Sequence, residues 1–130
     1  MGTNYYMITK NKEIKDQYFG DDFELTDHPV WGYEAHVCKI SGGWHTLFQA
    51  RERGFRTVAE IKYLCQREDV QLFDEYSREL TWDEFERILK KHEARTEPPL
   101  ISHINNRDLG SYHKYFRDPE GYEFSYGDFC

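Results

Sequence analysis

The order of apolar and polar positions divides the chain into short alternating segments and two stretches with helical spacing. Thr3, Asn4, Tyr5, Tyr6, Met7 and Ile8 read as a first strand. Lys10 to Lys15 is polar, and Gly20 to Pro29 is acidic and loop-like, with Pro29 forcing an extended backbone at His28. Residues 33–49 alternate on both sides of Gly42-Gly43. Glycine reaches positive φ without steric cost, so this pair signals a hairpin. A two-residue turn would set His36 opposite Gln49, Cys38 opposite Leu47 and Ile40 opposite His45, all on one face. Ala35, Val37 and Lys39 would then share the other face with Ala50, Phe48 and Thr46.

Two helices follow, each with its own start signal. Thr57 and Glu60 form a capping box, in which side chain and backbone amide satisfy each other reciprocally. Behind it Val58, Ile61, Tyr63, Leu64 and Cys65 supply an apolar face. Thr81 and Glu84 repeat the device ahead of Phe85, Ile88 and Leu89. Val70 to Phe73 is a short strand between them, and Asp74 to Arg78 a turn. Arg95 to Pro99 breaks the second helix, Leu100 to Ile104 reads as a strand, and Asn105-Asn106 as a turn. Tyr115 to Phe124 reads as a final hairpin turning at Asp118-Pro119-Glu120-Gly121. The pattern predicts one α+β domain over residues 1–130: a small antiparallel sheet of hairpins with two amphipathic helices packed on one face.

Composition changes that picture mainly through its rings. The chain has 130 residues, 38% hydrophobic and 32% charged, but 17% aromatic, with ten Tyr, nine Phe and three Trp. Large rings bury about 150–250 Å² each, so they can build the core and still leave tyrosines for contact surfaces. The net charge of -7 opposes nucleic acid as a direct partner, because phosphate binding needs clustered Lys and Arg. It suits a cationic protein partner or a local basic pocket on an acidic body, and the plain alternative is that it merely keeps the protein soluble. Cys38, Cys65 and Cys130 are odd in number, widely spaced and without a CxxC, so neither a disulfide framework nor a zinc site follows. Reduced thiols in a cytoplasm fit that usage. No apolar run approaches the ~20 residues of a membrane span.

Several constellations invite chemistry. Lys39, Ser41, Gly42, Gly43, Trp44 and His45 form a candidate ligand loop, with glycine amides as an anion nest and Trp44 as a stacking plate. The plain alternative is a tight turn anchored by Trp44. His36, Cys38 and His45 are candidate zinc ligands, but His36 and His45 stand near opposite ends of the expected hairpin. His103, Asn106 and His113 evoke a metal nuclease at loose spacing. No nucleophile elbow or activated cysteine is legible, so no catalytic residue, metal or cofactor is assigned.

Three segments carry a resemblance. The opening Met1-Gly2-Thr3-Asn4-Tyr5-Tyr6, the central His36-Val37-Cys38-Lys39-Ile40-Ser41-Gly42-Gly43-Trp44, and the stretch from Phe73 to Phe85 resemble a family of small phage- and prophage-encoded proteins. Many relatives place a CxxC knuckle before the His-rich core. Here residues 7–35 contain no cysteine: either ordinary packing around Tyr18, Phe19, Phe23 and Trp31 replaces the metal, or the knuckle was never functional. The resemblance implies a non-enzymatic accessory protein in the host cytoplasm that binds and blocks a host protein or defence complex. Tyr5, Tyr6, Asp74, Glu75 and Tyr76 are its candidate partner contacts. The rival expectations are a cyclic-nucleotide sponge using the Lys39–His45 loop and a metal-dependent nuclease or hydrolase.

Overall fold

Both edges of the opening strand are paired, which makes it the axis of the sheet. In the computed structural model, which describes residues 2–21, 23–41, 46–50, 54–91 and 115–125, β1 (Gly2–Thr9) runs antiparallel to β3 (Gly32–Ser41) on one side and β5 (Val70–Asp74) on the other. β6 (Glu79–Leu80) extends the β5 edge. On the far side of β3 come β4 (Thr46–Gln49), β8 (Glu123–Ser125) and β7 (Tyr115–Arg117). β2 (Glu24–Thr26) pairs with the first residues of β3, and β4 with its last, so the two lie end to end along one edge. The eight strands form a mixed sheet, because β4 and β8 are parallel while the other pairs are antiparallel. This is larger and less regular than the small antiparallel sheet expected.

Local signals explain the helices. α1 (Lys12–Ile14) starts at Asn11, whose side-chain oxygen accepts from the amides of Glu13 (2.9 Å) and Ile14 (3.2 Å). It continues as a π-helical segment over Lys15–Phe19 and stops at Gly20, where φ is 64°. The sequence pattern marks Lys10 to Lys15 only as polar and predicts no helix here. α2 (Val58–Cys65) carries the full Thr57–Glu60 capping box. α3 (Trp82–Lys91) carries the second one, with Glu84 accepting from the Thr81 amide at 2.8 Å and Thr81 accepting from the Glu84 amide at 3.1 Å. Val58, Ile61 and Leu64 are buried on α2, and Trp82, Phe85 and Leu89 on α3. Tyr63, expected on the apolar face, is 48% exposed.

Rings dominate the core. Tyr5 packs on Phe85 at 5.1 Å between centroids, Phe85 on Trp82 at 5.8 Å, and Phe48 on Phe124 at 5.1 Å. Cys65 Sγ of α2 lies 3.9 Å from Met7 Sδ. Tyr5 and Met7 are two residues apart on β1 and therefore share a face, so both helices contact that face.

The β3–β4 register departs from the expected one. Cys38 pairs with Phe48, Lys39 with Leu47 and Ile40 with Thr46, one position away from the two-residue-turn register. A bulge in β3 adds a second displacement: Tyr5 pairs with Cys38 but Tyr6 with His36, leaving Val37 as the extra residue. A one-residue shift exchanges the two faces of a strand. His36 consequently points away from Cys38 and Ile40, toward Asn4 Oδ1 (2.9 Å) and Gln49 Oε1 (3.4 Å). The single face gathering both histidines and the thiol does not form.

Candidate functional site

Several of the candidate contacts turn out to be structural. Tyr5 is only 5% exposed, and burial pushes its hydroxyl up to about 12. Asp74 is 6% exposed, and its carboxylate holds its own turn, accepting from the amides of Tyr76 (2.9 Å) and Arg78 (3.0 Å) and facing Arg78 Nε at 3.3 Å. Neither offers a surface to a partner. Tyr6 is half-buried against the His36 ring. Glu75 is exposed and accepts from the Asn4 amide at 2.7 Å, and Tyr76 is 73% exposed at the turn tip.

Of the candidate ligand loop, Lys39 sits within β3 opposite Leu47 and Ser41 ends the strand. Gly42, Gly43, Trp44 and His45 lie outside the described residues, as do His103, Asn106, His113 and Cys130. Among the described residues no three His, Cys, Asp or Glu side chains converge on a point where a metal could sit. The thiols are poor nucleophiles. Cys38 is fully buried, which raises it well above a free thiol, and burial pushes Cys65 up to about 12.

Among the described residues the exposed apolar cluster lies elsewhere, where β2 pairs with the start of β3. Leu25 stands directly opposite Tyr33. Phe23 and Trp31, just outside the two strands, both bring their rings to Tyr33. The rings touch in series, Phe23 edge-on to Tyr33 at 5.4 Å and Trp31 to Tyr33 at 6.2 Å. Lys15 Nζ lies 4.6 Å from the Phe23 centroid and 5.2 Å from that of Tyr33, and it pairs with Asp16. The inner rings are thus packed and covered by a cation. The outer residues are not: Leu25 is 66% and Trp31 53% exposed.

Gly32 explains why this ribbon holds its place. A Cβ there would come within 2.7 Å of both Ile8 Cγ2 and the Thr9 carbonyl oxygen. Only glycine lets β3 start so close to β1, and this fixes Trp31 and Tyr33 on a rigid base. Glu24 and Glu34 face each other on the reverse side of the ribbon. Burial, and then the neighbouring Glu24 charge, raise the Glu34 carboxyl above its ordinary value.

Packing around Tyr18, Phe19, Phe23 and Trp31 is one of the two expectations the sequence offers for the missing knuckle. Phe19 does pack inside, at 0% exposure, and Trp31 does not. One signal pointed to this surface. Residues 16–38 contain six carboxylates (Asp16, Asp21, Asp22, Glu24, Asp27 and Glu34) and no Lys or Arg. That segment alone accounts for six of the chain's seven net negative charges.

A second concavity of about 480 Å³ lies between the end of α2, β5, β6 and the start of α3. Its rim carries Glu68, Glu79 and Asp83 against Arg67, whose guanidinium is already bound to Asp69 at 2.8 Å. Trp82 Nε1 is buried there without an acceptor.

Comparison of the chain with protein-family models, with curated proteins and with solved structures finds no match.

Proposed function

We propose that the protein is a non-catalytic phage accessory factor that counters host defence by binding and blocking a host protein or complex. Its docking surface is the ribbon of β2 and β3, with α2 and α3 backing the sheet on the Tyr5–Met7 face. The observation that carries this reading is the exposure of Leu25, opposite Tyr33, and of Trp31, packed on the Tyr33 ring. Large exposed apolar groups on a rigid base, rimmed by charge, are the ordinary anatomy of a protein contact site. Aromatic anchors of this kind supply most of the binding energy where they occur.

The test places a photo-activated cross-linking residue at Leu25 and exposes the folded protein to lysate of infected host cells. Capture of a discrete host protein that is lost in a folded Trp31→Ala variant is the expected result. Capture indifferent to Trp31→Ala, or no capture, would refute the docking surface.

A further inference from the structure

We propose that the partner presents a basic segment to this surface, and that one of its arginines stacks on Trp31 while its other cations are drawn by the net negative charge of residues 16–38. The proposal rests on the docking reading and adds the chemistry of the partner.

Three observations lead to it. First, the surface already binds a cation of its own, since Lys15 sits over Phe23 and Tyr33. Trp31 continues the same ring series outward, and among the described residues no cation lies over it. Indole is the strongest of the aromatic faces for a cation, and a guanidinium also stacks flat on it. Second, charge is concentrated at this place and not spread over the molecule. Residues 16–38 carry six carboxylates without a Lys or Arg, one of them, Asp16, paired with the preceding Lys15, while the rest of the chain is nearly balanced. Asp21, Glu24 and Asp27 are all exposed. A predominantly negative potential around an apolar centre steers an oppositely charged partner and disfavours an acidic one. Third, Glu34 is held against Glu24 with its carboxyl raised. This pair lies on the reverse side of the ribbon from Trp31, so it adds to the negative field of the ribbon without touching the stacked cation. An acidic, lipid or nucleic-acid partner gains none of these.

The test uses the full chain and a defined probe, the peptide acetyl-Gly-Arg-Gly-Arg-Gly-Arg-Gly-amide, with a lysine version and a citrulline version. Citrulline keeps the shape of arginine without its charge. Titration at low salt is followed by the indole N–H signal of Trp31, assigned through its loss in Trp31→Ala, and by calorimetry. The arginine peptide should shift that signal saturably, the lysine peptide should bind more weakly, and the citrulline peptide should not bind. Trp31→Ala should weaken binding by roughly threefold to fivefold, the scale of one exposed cation–π contact. Leu25→Ser, which leaves Trp31 in place, should keep the indole shift and so show that the ring itself takes the cation. Glu24→Gln with Asp27→Asn should weaken binding and flatten its salt dependence. Asp83→Asn, a charge change on α3, should alter it by less than about twofold.

Equal binding of the citrulline peptide, or a Trp31→Ala loss no larger than that of Asp83→Asn, overturns the proposal. A host protein captured through Leu25 but not displaced by the arginine peptide would leave the docking surface standing and remove its basic partner. Arginine binding at Trp31 without any capture would do the reverse.

Discussion

Asp118 fastens the last hairpin to α2, and removing its carboxylate should be among the most costly single changes outside the apolar core. It is 6% exposed. One oxygen accepts from the Val58 amide at 2.8 Å, across sixty residues of chain, at the first residue of α2. The other accepts from the amides of Glu120 (3.0 Å) and Tyr122 (2.9 Å) and shapes the turn between β7 and β8. A hydrogen bond to a charged group contributes about 1.5–3 kcal/mol when its loss strands a buried partner. The Glu120 amide, at an exposed residue, regains water when released. The Val58 and Tyr122 amides belong to buried residues, so Asp118→Ala should cost about 3 kcal/mol. For a chain of this length that lowers Tm by about 10 °C. Asp118→Asn keeps one carbonyl oxygen for the turn but sets an NH2 group against the Val58 amide, and should cost about half as much. Urea unfolding followed by circular dichroism and tryptophan fluorescence gives both values. A loss under about 1 kcal/mol for Asp118→Ala, or equal losses for the two variants, would refute the reasoning.

Other changes test other parts of the fold. Ser77 closes the turn between β5 and β6 with φ at 67°, a left-handed conformation that costs a non-glycine residue about 1 kcal/mol. Ser77→Gly should therefore raise the urea midpoint by an amount worth about 0.5 kcal/mol after the entropy of glycine in the unfolded chain is counted, and a fall would contradict this account. Asp69 accepts from Arg67 and from Asn11, and the Arg67 hydrogen bond chiefly holds its carboxyl down at about 2. Its folded value lies below its unfolded one, so its contribution is complete above about pH 4 and disappears as pH falls through about 2. The site is about one-third exposed, so Asp69→Asn should cost under about 1 kcal/mol at neutral pH, with the gap to wild type closing on acidification; a gap independent of pH would disprove the linkage. Cys65, pushed up to about 12, should react with iodoacetamide at pH 8 roughly a thousandfold more slowly than a free thiol. Peptide mass spectrometry resolves it from Cys38 and Cys130, and free-thiol rates in the native protein would contradict its burial.

The sequence by itself determined those features whose hydrogen bonds close within a few residues. The boxes at Thr57–Glu60 and Thr81–Glu84, the turn from Asp74 to Arg78 and the turn from Asp118 to Gly121 all stand where their residue types put them. In each, the partner groups are three or four positions apart, so local chemistry is enough. The α+β class followed from the same signals. Leu100 to Ile104 and the turn after it lie outside the described residues.

Only the tertiary structure decided what depends on pairing between distant segments. Val37 bulges because β1 passes from Cys38 to His36 in one step, and no feature of residues 33–49 alone announces it. That single residue, with the shifted β3–β4 register, separates His36 from Cys38 and dissolves the reactive cluster that the hairpin suggested. The parallel pairing of β4 with β8 joins residues 48 and 124, a separation invisible to any local period. Burial followed the same rule. Tyr5 and Asp74, opposite each other on adjacent strands, went inside because Phe85 and the β5–β6 turn cover them. Trp31 stayed outside because β2, only three residues long, supports its layer without reaching over it. A side chain's type sets what it gains by burial, but whether it is buried depends on which distant segment arrives to cover it.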